Sequence, residues 1–272
     1  MNIVIFGSTG LIGSHFENIL SRDKNIKLFC VNRSLVSSQN KKIEYIRLNP
    51  KFNMKLPKNI DYIIYTIGLA HNLRIKKEDY FKVNVDLLDS IFETIKGHKI
   101  NNFIYLSSLK VLGETGRFNI NSIPNPATAY SKSKYLAENQ IFKYFENTKT
   151  KITILRLPIV ISKNPKGTLK LMNLFSKFKV PLPLKNINNS KSIILIDSLG
   201  SYLKKLIMKK IINVSEITYI KDKDVSSFEI YTLLLSKKNI YTFNCPSFLR
   251  YIVKLFFYDY YKRIFNDFCI EL

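Results

Sequence analysis

The chain has 272 residues, 46% of them hydrophobic, and carries 43 Lys and Arg against 20 Asp and Glu, a formal net charge of +23 at pH 7. No stretch approaches the ~18 continuous apolar residues that span a bilayer. Three dispersed cysteines exclude a disulfide framework and point to a reducing, cytoplasmic setting, and no Cys/His cluster has zinc spacing.

The length suits one large α/β unit or a nucleotide-binding domain with a smaller lobe. "MNIVIFG" has no basic region ahead of its apolar run, so a signal peptide is not expected. The lysines are spread from end to end without a dense tract. That pattern fits a solvated surface rather than a specific nucleic-acid footprint. The diffuse positive field would still attract a nucleotide substrate, or associate weakly with a membrane surface.

In chain order, "NIVIF" (2–6) predicts a short buried strand, and "GSTGLIG" (7–13) leads into a helix over 11–22 with apolar residues on one side. Strands are predicted at 26–32, 42–48 and 59–68, the last nearly continuous in apolar residues, as a central parallel strand would be. A long amphipathic helix follows at 76–97, with Gly97 as its C-cap. Next come a strand at 101–108, a helix at 128–145 and a strand at 151–158. Unbroken alternation of this kind implies a Rossmann-like, doubly wound parallel sheet, with ligands at the C-terminal ends of its strands. Residues 1–158 form the expected dinucleotide-binding domain. Residues 159–272, richer in Pro and turn residues, form the expected smaller substrate lobe. The aromatic, basic stretch 247–265 predicts a closing helix that packs on this lobe, with an interfacial membrane helix as the alternative.

The glycine turn follows the first strand and opens the first helix, the context that gives such a pattern meaning. Gly7 permits the tight turn. Gly10 lets backbone approach a pyrophosphate at the helix N-terminus. Gly13 lets the helix pack closely on the strand. At the end of the second strand, where an acid commonly binds ribose hydroxyls, stand Asn32 and Arg33. NAD and NADP both remain open.

Tyr130 and Lys134 share one helix face. Two other pairs have the same spacing, Tyr219/Lys223 and Tyr258/Lys262, but neither follows a strand ending in Ser. Before Tyr130, "NNFIYLSS" delivers Ser107 and Ser108 to the C-terminal sheet edge. A nearby ammonium would lower the Tyr pKa from about 10 towards neutrality. The Tyr could then serve as acid or base on a sugar hydroxyl or carbonyl.

"YLSSLKVLGETG" (105–116) followed by "AYSKSKYLAE" (129–138) resembles the nucleotide-sugar epimerase/dehydratase family of extended short-chain dehydrogenases. The likeness is to the UDP-glucose or UDP-N-acetylglucosamine 4-epimerase-like members of bacterial surface-polysaccharide clusters. "DYIIYTIGLAH" (61–71), Val83–Asn84, "LRLP" (155–158) and "VPLPLKNINNSKSIILIDSL" (180–199) extend it along the chain. The resemblance implies Ser108, rather than Ser107, as the catalytic Ser, Tyr130 as acid/base and Lys134 as its partner. It implies a cofactor held by Gly7, Thr9, Gly10, Leu11, Ile12, Gly13, Asn32, Arg33, Thr66, Ile67, Gly68 and Pro158, besides Tyr130 and Lys134. His71 and Lys110 would lie near the sugar, and Lys191 would replace an Arg that grips the nucleotide diphosphate. The implied substrate is a UDP-sugar, the implied assembly a homodimer, and the implied reaction 4-epimerisation through transient oxidation. Two alternatives are NADPH-dependent reduction of a 4-keto-6-deoxy sugar and a non-catalytic dinucleotide sensor. The chain also stops earlier than the resemblance leads one to expect.

Overall fold

A computed structural model describes residues 1–34, 40–49, 54–69, 75–163, 181–209, 215–235 and 242–272. Among them, seven parallel strands form the main sheet. In sequence these are β1 (Asn2–Phe6), β2 (Lys27–Asn32), β3 (Ile43–Arg47), β4 (Asn59–Tyr65), β5 (Lys99–Ser108), β7 (Lys151–Leu157) and β10 (Glu216–Tyr219). In space the order is β10-β7-β5-β4-β1-β2-β3. The chain thus winds outward from β1 in both directions, and the strand order reverses beside β1.

Alternate residues of each strand feed two cores, as the two-residue period requires. Ile3 and Ile5 of β1 pack with Phe16 and Leu20 of α1 (Leu11–Leu20) and with Leu199 and Leu203 of α5 (Ile196–Met208). Val4 and Phe6 face the opposite layer, with Ile91 and Phe92 of α3 (Leu87–Ile95) and Ile141 and Phe145 of α4 (Ala129–Phe145). Covered on both faces, the central strands are nearly all buried.

The long helix expected over 76–97 is interrupted. α2 (Lys77–Phe81) passes through a π-helical turn, Lys82–Asp86, before α3 begins. Turns of this kind carry one extra residue and are frequent at functional sites. Here the turn buries Asn84. Gly97 follows the helix end at φ +83°.

A second sheet has the order β11-β9-β12-β6, with β8 (Ile159–Ile161) beside β9. Its strands are β6 (Gly116–Asn119), β9 (Lys191–Leu195), β11 (Lys223–Val225) and β12 (Phe268–Glu271). Chain on both sides of residue 158 contributes to both sheets: β10 completes the edge of the main sheet, and β6 joins the smaller one. The closing stretch is two helices, α7 (Ser247–Phe256) and α8 (Tyr258–Phe265), broken where Phe257 takes φ −135°, ψ 50°. α8 buries Phe265 against Leu184, Ile187 and Tyr231 beneath it, the last from α6 (Ser227–Leu235). α7 buries no residue.

Candidate functional site

The glycine turn is built by close approach. Gly7 has φ +89°, and a Cβ there would lie 2.9 Å from Thr66 Oγ1 and 3.0 Å from Ile67 Cγ1. A Cβ at Gly13 would lie 2.2 Å from the Gly7 carbonyl oxygen, so only glycine lets α1 come this near to β1. At Gly10 a Cβ would meet Gly7 O alone, at 3.2 Å. Gly10 is the N-cap of α1 and supplies no capping side chain, so the first N–H groups of Leu11 and Ile12 stay available to an anion.

Asn32 is buried at the end of β2, and its amide braces this turn. The Thr9 N–H donates to Asn32 Oδ1 (3.1 Å), and Asn32 Nδ2 donates to Ser8 Oγ (2.9 Å). Thr9 and Arg33 are exposed on either side of it. Thr66 Oγ1 donates to Phe6 O (2.8 Å) and ties β4 to the same turn. Ile67 packs on the second core, and Gly68 is exposed. Pro158 is buried where β7 ends.

Across the sheet edge lie the residues of the Tyr–Lys helix. Thr128 and Ser131 form a reciprocal capping box that starts α4. Tyr130 is held half-buried in the first turn, hydrogen-bonded to Ser108 and edge-on to the Tyr80 ring at 5.8 Å. Lys134 lies one turn further and is 6% exposed. Its Nζ donates to Leu106 O (2.9 Å) and Tyr105 OH (3.2 Å) and sits 4.7 Å from the Tyr105 ring centroid. A Cβ on Gly68 would come within 2.9 Å of that ammonium and 3.2 Å of Asn84 Oδ1. Asn84 accepts from the Leu69 N–H (2.9 Å) and donates to Ser133 Oγ (2.8 Å), locking the loop after β4 to α4. The two adjacent serines divide their tasks. Ser107 points the other way and donates to Glu138, which pairs with buried Arg156 (Nη2 to Oε2, 2.6 Å).

The electrostatics differ from the sequence expectation. Burial pushes the Tyr130 phenol up to about 12, with Glu114 and Tyr80 adding to the rise and Ser108 opposing it. Burial pushes Lys134 down to about 8. Desolvation favours the neutral form of each group. Lys134 directs its ammonium at Tyr105 and Leu106, so in the protein alone it does not bring Tyr130 towards neutrality.

On the substrate-lobe side, Lys110 pairs with Glu114, whose carboxylate also accepts from Thr128 Oγ1 (2.8 Å) and Ser131 Oγ (3.1 Å). Burial lowers the Lys110 pKa, and the charges of Arg263 and Lys262 add to that. Lys191 is buried rather than solvated. Its Nζ donates to Asn266 O (2.9 Å), and burial together with the Lys110 charge lowers it to about 8. Lys110, Lys191 and Arg263 therefore form a crowded cationic group beside the Ser–Tyr–Lys cluster. His71 lies outside the described residues. Asn84, Glu114 and Arg263 are the residues that motif reasoning did not place. Val83–Asn84 and "GETG" were the available signals. Among the described residues no group of His, Cys, Asp and Glu could hold a metal ion.

A glycine turn at the reversal of strand order, facing a Ser–Tyr–Lys cluster across the sheet edge, defines a Rossmann-like protein of the short-chain dehydrogenase type. Within that class the chain belongs to the NAD dependent epimerase/dehydratase family, whose model matches residues 3–201. A dTDP-D-glucose 4,6-dehydratase of Dictyostelium discoideum is 28% identical over 184 residues, 57% of this chain and 42% of that protein. The chain therefore matches less than half the length of that relative. Among solved structures, UDP-glucuronic acid 4-epimerase from Bacillus cereus, in complex with UDP-glucuronic acid and NAD, superimposes with a TM-score of 0.73 at 18% identity, covering 90% of this chain and 87% of that one. MoeE5 in complex with UDP-glucose and NAD gives 0.74 at 15% identity, over 99% and 88%. The UDP-N-acetylglucosamine 4-epimerase of Methanobrevibacter ruminantium M1 gives 0.71 at 16% identity, over 90% and 86%. At these identities the likeness is one of fold.

Proposed function

We propose that the protein is an NAD-dependent nucleotide-sugar 4-epimerase acting on a UDP-hexose or UDP-N-acetylhexosamine. One observation carries this reading: Tyr130 is hydrogen-bonded to Ser108 and half-buried at the sheet edge, with Lys134 beneath Gly68 on the cofactor side. The residues present fit a dinucleotide. The glycine turn and the uncapped α1 N-terminus suit a pyrophosphate, exposed Arg33 borders the adenosine end, and Thr66–Gly68 with Lys134 line the nicotinamide end. When bound, the dinucleotide accepts a hydride from sugar C4 and returns it, and its oxidised ring adds a positive charge that favours the Tyr130 phenolate. Tyr130 takes the proton from the 4-hydroxyl as C4 becomes a carbonyl, and gives it back when C4 is reduced on its other face. Ser108 donates to the same oxygen and orients it. Lys134 holds its ammonium close beneath Gly68, anchored on Leu106 O and Tyr105 OH, where the nicotinamide ribose would lie. Lys110, Lys191 and Arg263 meet the diphosphate charge, which would restore to those lysines the ammonium form that burial disfavours. A surface-polysaccharide role, a cytoplasmic location and a homodimer belong to this proposal.

The absence of an acid at the end of β2, with Arg33 exposed there, favours a second reading: an NADPH-dependent reductase of a 4-keto sugar. A UDP-hexose deuterated at C4 separates the two. Epimerisation leaves the label at C4 of both epimers with no net cofactor consumed. Stoichiometric loss of NADPH on a 4-keto substrate, with no interconversion of epimers, would establish the reductase instead.

A further inference from the structure

Helix α7 is an amphipathic helix turned inside out. Its apolar residues Phe248, Tyr251, Ile252, Leu255 and Phe256 recur at i, i+3, i+4, i+7 and i+8, the stripe that normally faces a core. Here the stripe faces outward. Phe248 is 68% exposed, Tyr251 65%, Leu255 61% and Phe256 69%. Phe257 and Tyr258 continue the patch at the elbow with α8, also exposed. Contiguous exposed apolar surface of this kind marks an interaction site, unlike single scattered residues.

The occupant follows from charge. Residues 247–265 carry Arg250, Lys254, Lys262 and Arg263 against one acid, Asp259. Arg250 and Lys254 lie on the side of α7 turned away from the stripe, over the rings of Tyr261 and Phe265 of α8, so the helix joins a basic polar face to an aromatic apolar one. A second copy would bring a chain of the same strongly positive sign, net charge +23, against this one. A bilayer rich in anionic lipid offers the opposite charge and an apolar layer at the depth such a stripe reaches, with aromatic side chains suited to the headgroup boundary.

We propose that α7 and the elbow at Phe257 dock the protein, in the plane of the interface, on an anionic membrane surface. The inference is independent of the catalytic reading. No helix in the described residues is long and apolar enough to cross a membrane, so the attachment is peripheral and reversible. It rests on two components, apolar burial and charge, which an experiment can vary separately.

The test is flotation with vesicles of phosphatidylcholine alone and of phosphatidylcholine with phosphatidylglycerol. The full chain is expected to float with the anionic vesicles, and raising salt from about 0.1 M to about 1 M should release much of it. Replacing Phe248, Leu255 and Phe256 together by Ser should weaken binding by at least about tenfold with an unchanged melting temperature, because all three are exposed. The chain has no Trp, so Leu255→Trp supplies a single reporter in an otherwise native protein, and its emission should shift to the blue on anionic vesicles. Absence of binding to anionic vesicles, or a Trp spectrum that ignores them, overturns the proposal. So does sedimentation in which the unmodified protein is dimeric without vesicles and the triple variant monomeric, since a second copy would then cover this face.

Discussion

Lys134→Met tests the burial of the Lys134 ammonium through stability. The ammonium stands 6% exposed, and burial takes its pKa from the usual 10.5 to about 8. At about 1.4 kcal/mol per pH unit, that gap amounts to on the order of 3 kcal/mol. The sign follows from linkage. Below pH 8 both states bind the proton, and the folded state carries the full cost of a buried charge. Between pH 8 and 10.5 the folded state has released its proton while the unfolded state keeps it, so stability rises with pH. Above 10.5 the cost is gone. Met has nearly the same volume and cannot titrate, so its curve lacks this rise. Losing the bonds to Leu106 O and Tyr105 OH adds a pH-independent offset of about 1–3 kcal/mol for each group left without a partner. The offset does not affect the slope. Urea denaturation of both proteins from pH ~7 to ~10.5 should therefore show the variant losing on the order of 3 kcal/mol relative to the unmodified protein as pH rises. Parallel curves would refute the buried-ammonium account.

Three further outcomes are expected. Gly13→Ala places a methyl 2.2 Å from Gly7 O, which forces α1 back by about 1 Å; NAD titrated by calorimetry should bind at least about tenfold more weakly, and unchanged affinity would remove the glycine turn as the cofactor seat. Ser107→Ala should leave turnover within about twofold and lower stability by about 1–3 kcal/mol, because it strips a donor from buried Glu138; Ser108→Ala should lower turnover by at least about tenfold, and the reverse pattern would exchange the two assignments. Glu114→Gln removes a charge that raises the Tyr130 pKa, so the phenolate absorbance of the variant should develop at lower pH; an unshifted titration would show that Glu114 acts only as a brace for α4.

The sequence made the parallel sheet legible because burial on both faces leaves long apolar runs, such as 59–65, and because the glycine turn sits at a fixed place between β1 and α1. It made Tyr130 and Lys134 legible because a helical i,i+4 pair after a strand ending in Ser has one geometric outcome. Spacing does not report what a side chain does beyond its own element. Asn32 stands at the end of β2, and its amide braces Ser8 and Thr9 across the glycine turn. Asn84 reaches α4 only because a π-helical turn re-aims it, and a single extra residue in a turn leaves no periodic trace. The direction of the Tyr130 shift depended on how deeply the phenol is buried, and the Lys–Tyr spacing alone pointed the other way. The closing stretch gave a strong amphipathic period over 247–265. A period fixes which residues share a face, not whether that face meets a core, so the outward stripe of α7 was visible only in the fold.

The most direct measurement compares Tyr130→Phe with the unmodified protein, following interconversion of UDP-hexose epimers by NMR and NAD affinity by calorimetry. Removing one oxygen leaves the ring against Tyr80 and the cofactor seat intact, so NAD affinity should stay within about threefold while turnover falls by about 10²–10⁴-fold. Interconversion undiminished in the variant would contradict Tyr130 as the proton carrier, and with it the catalytic reading of the site.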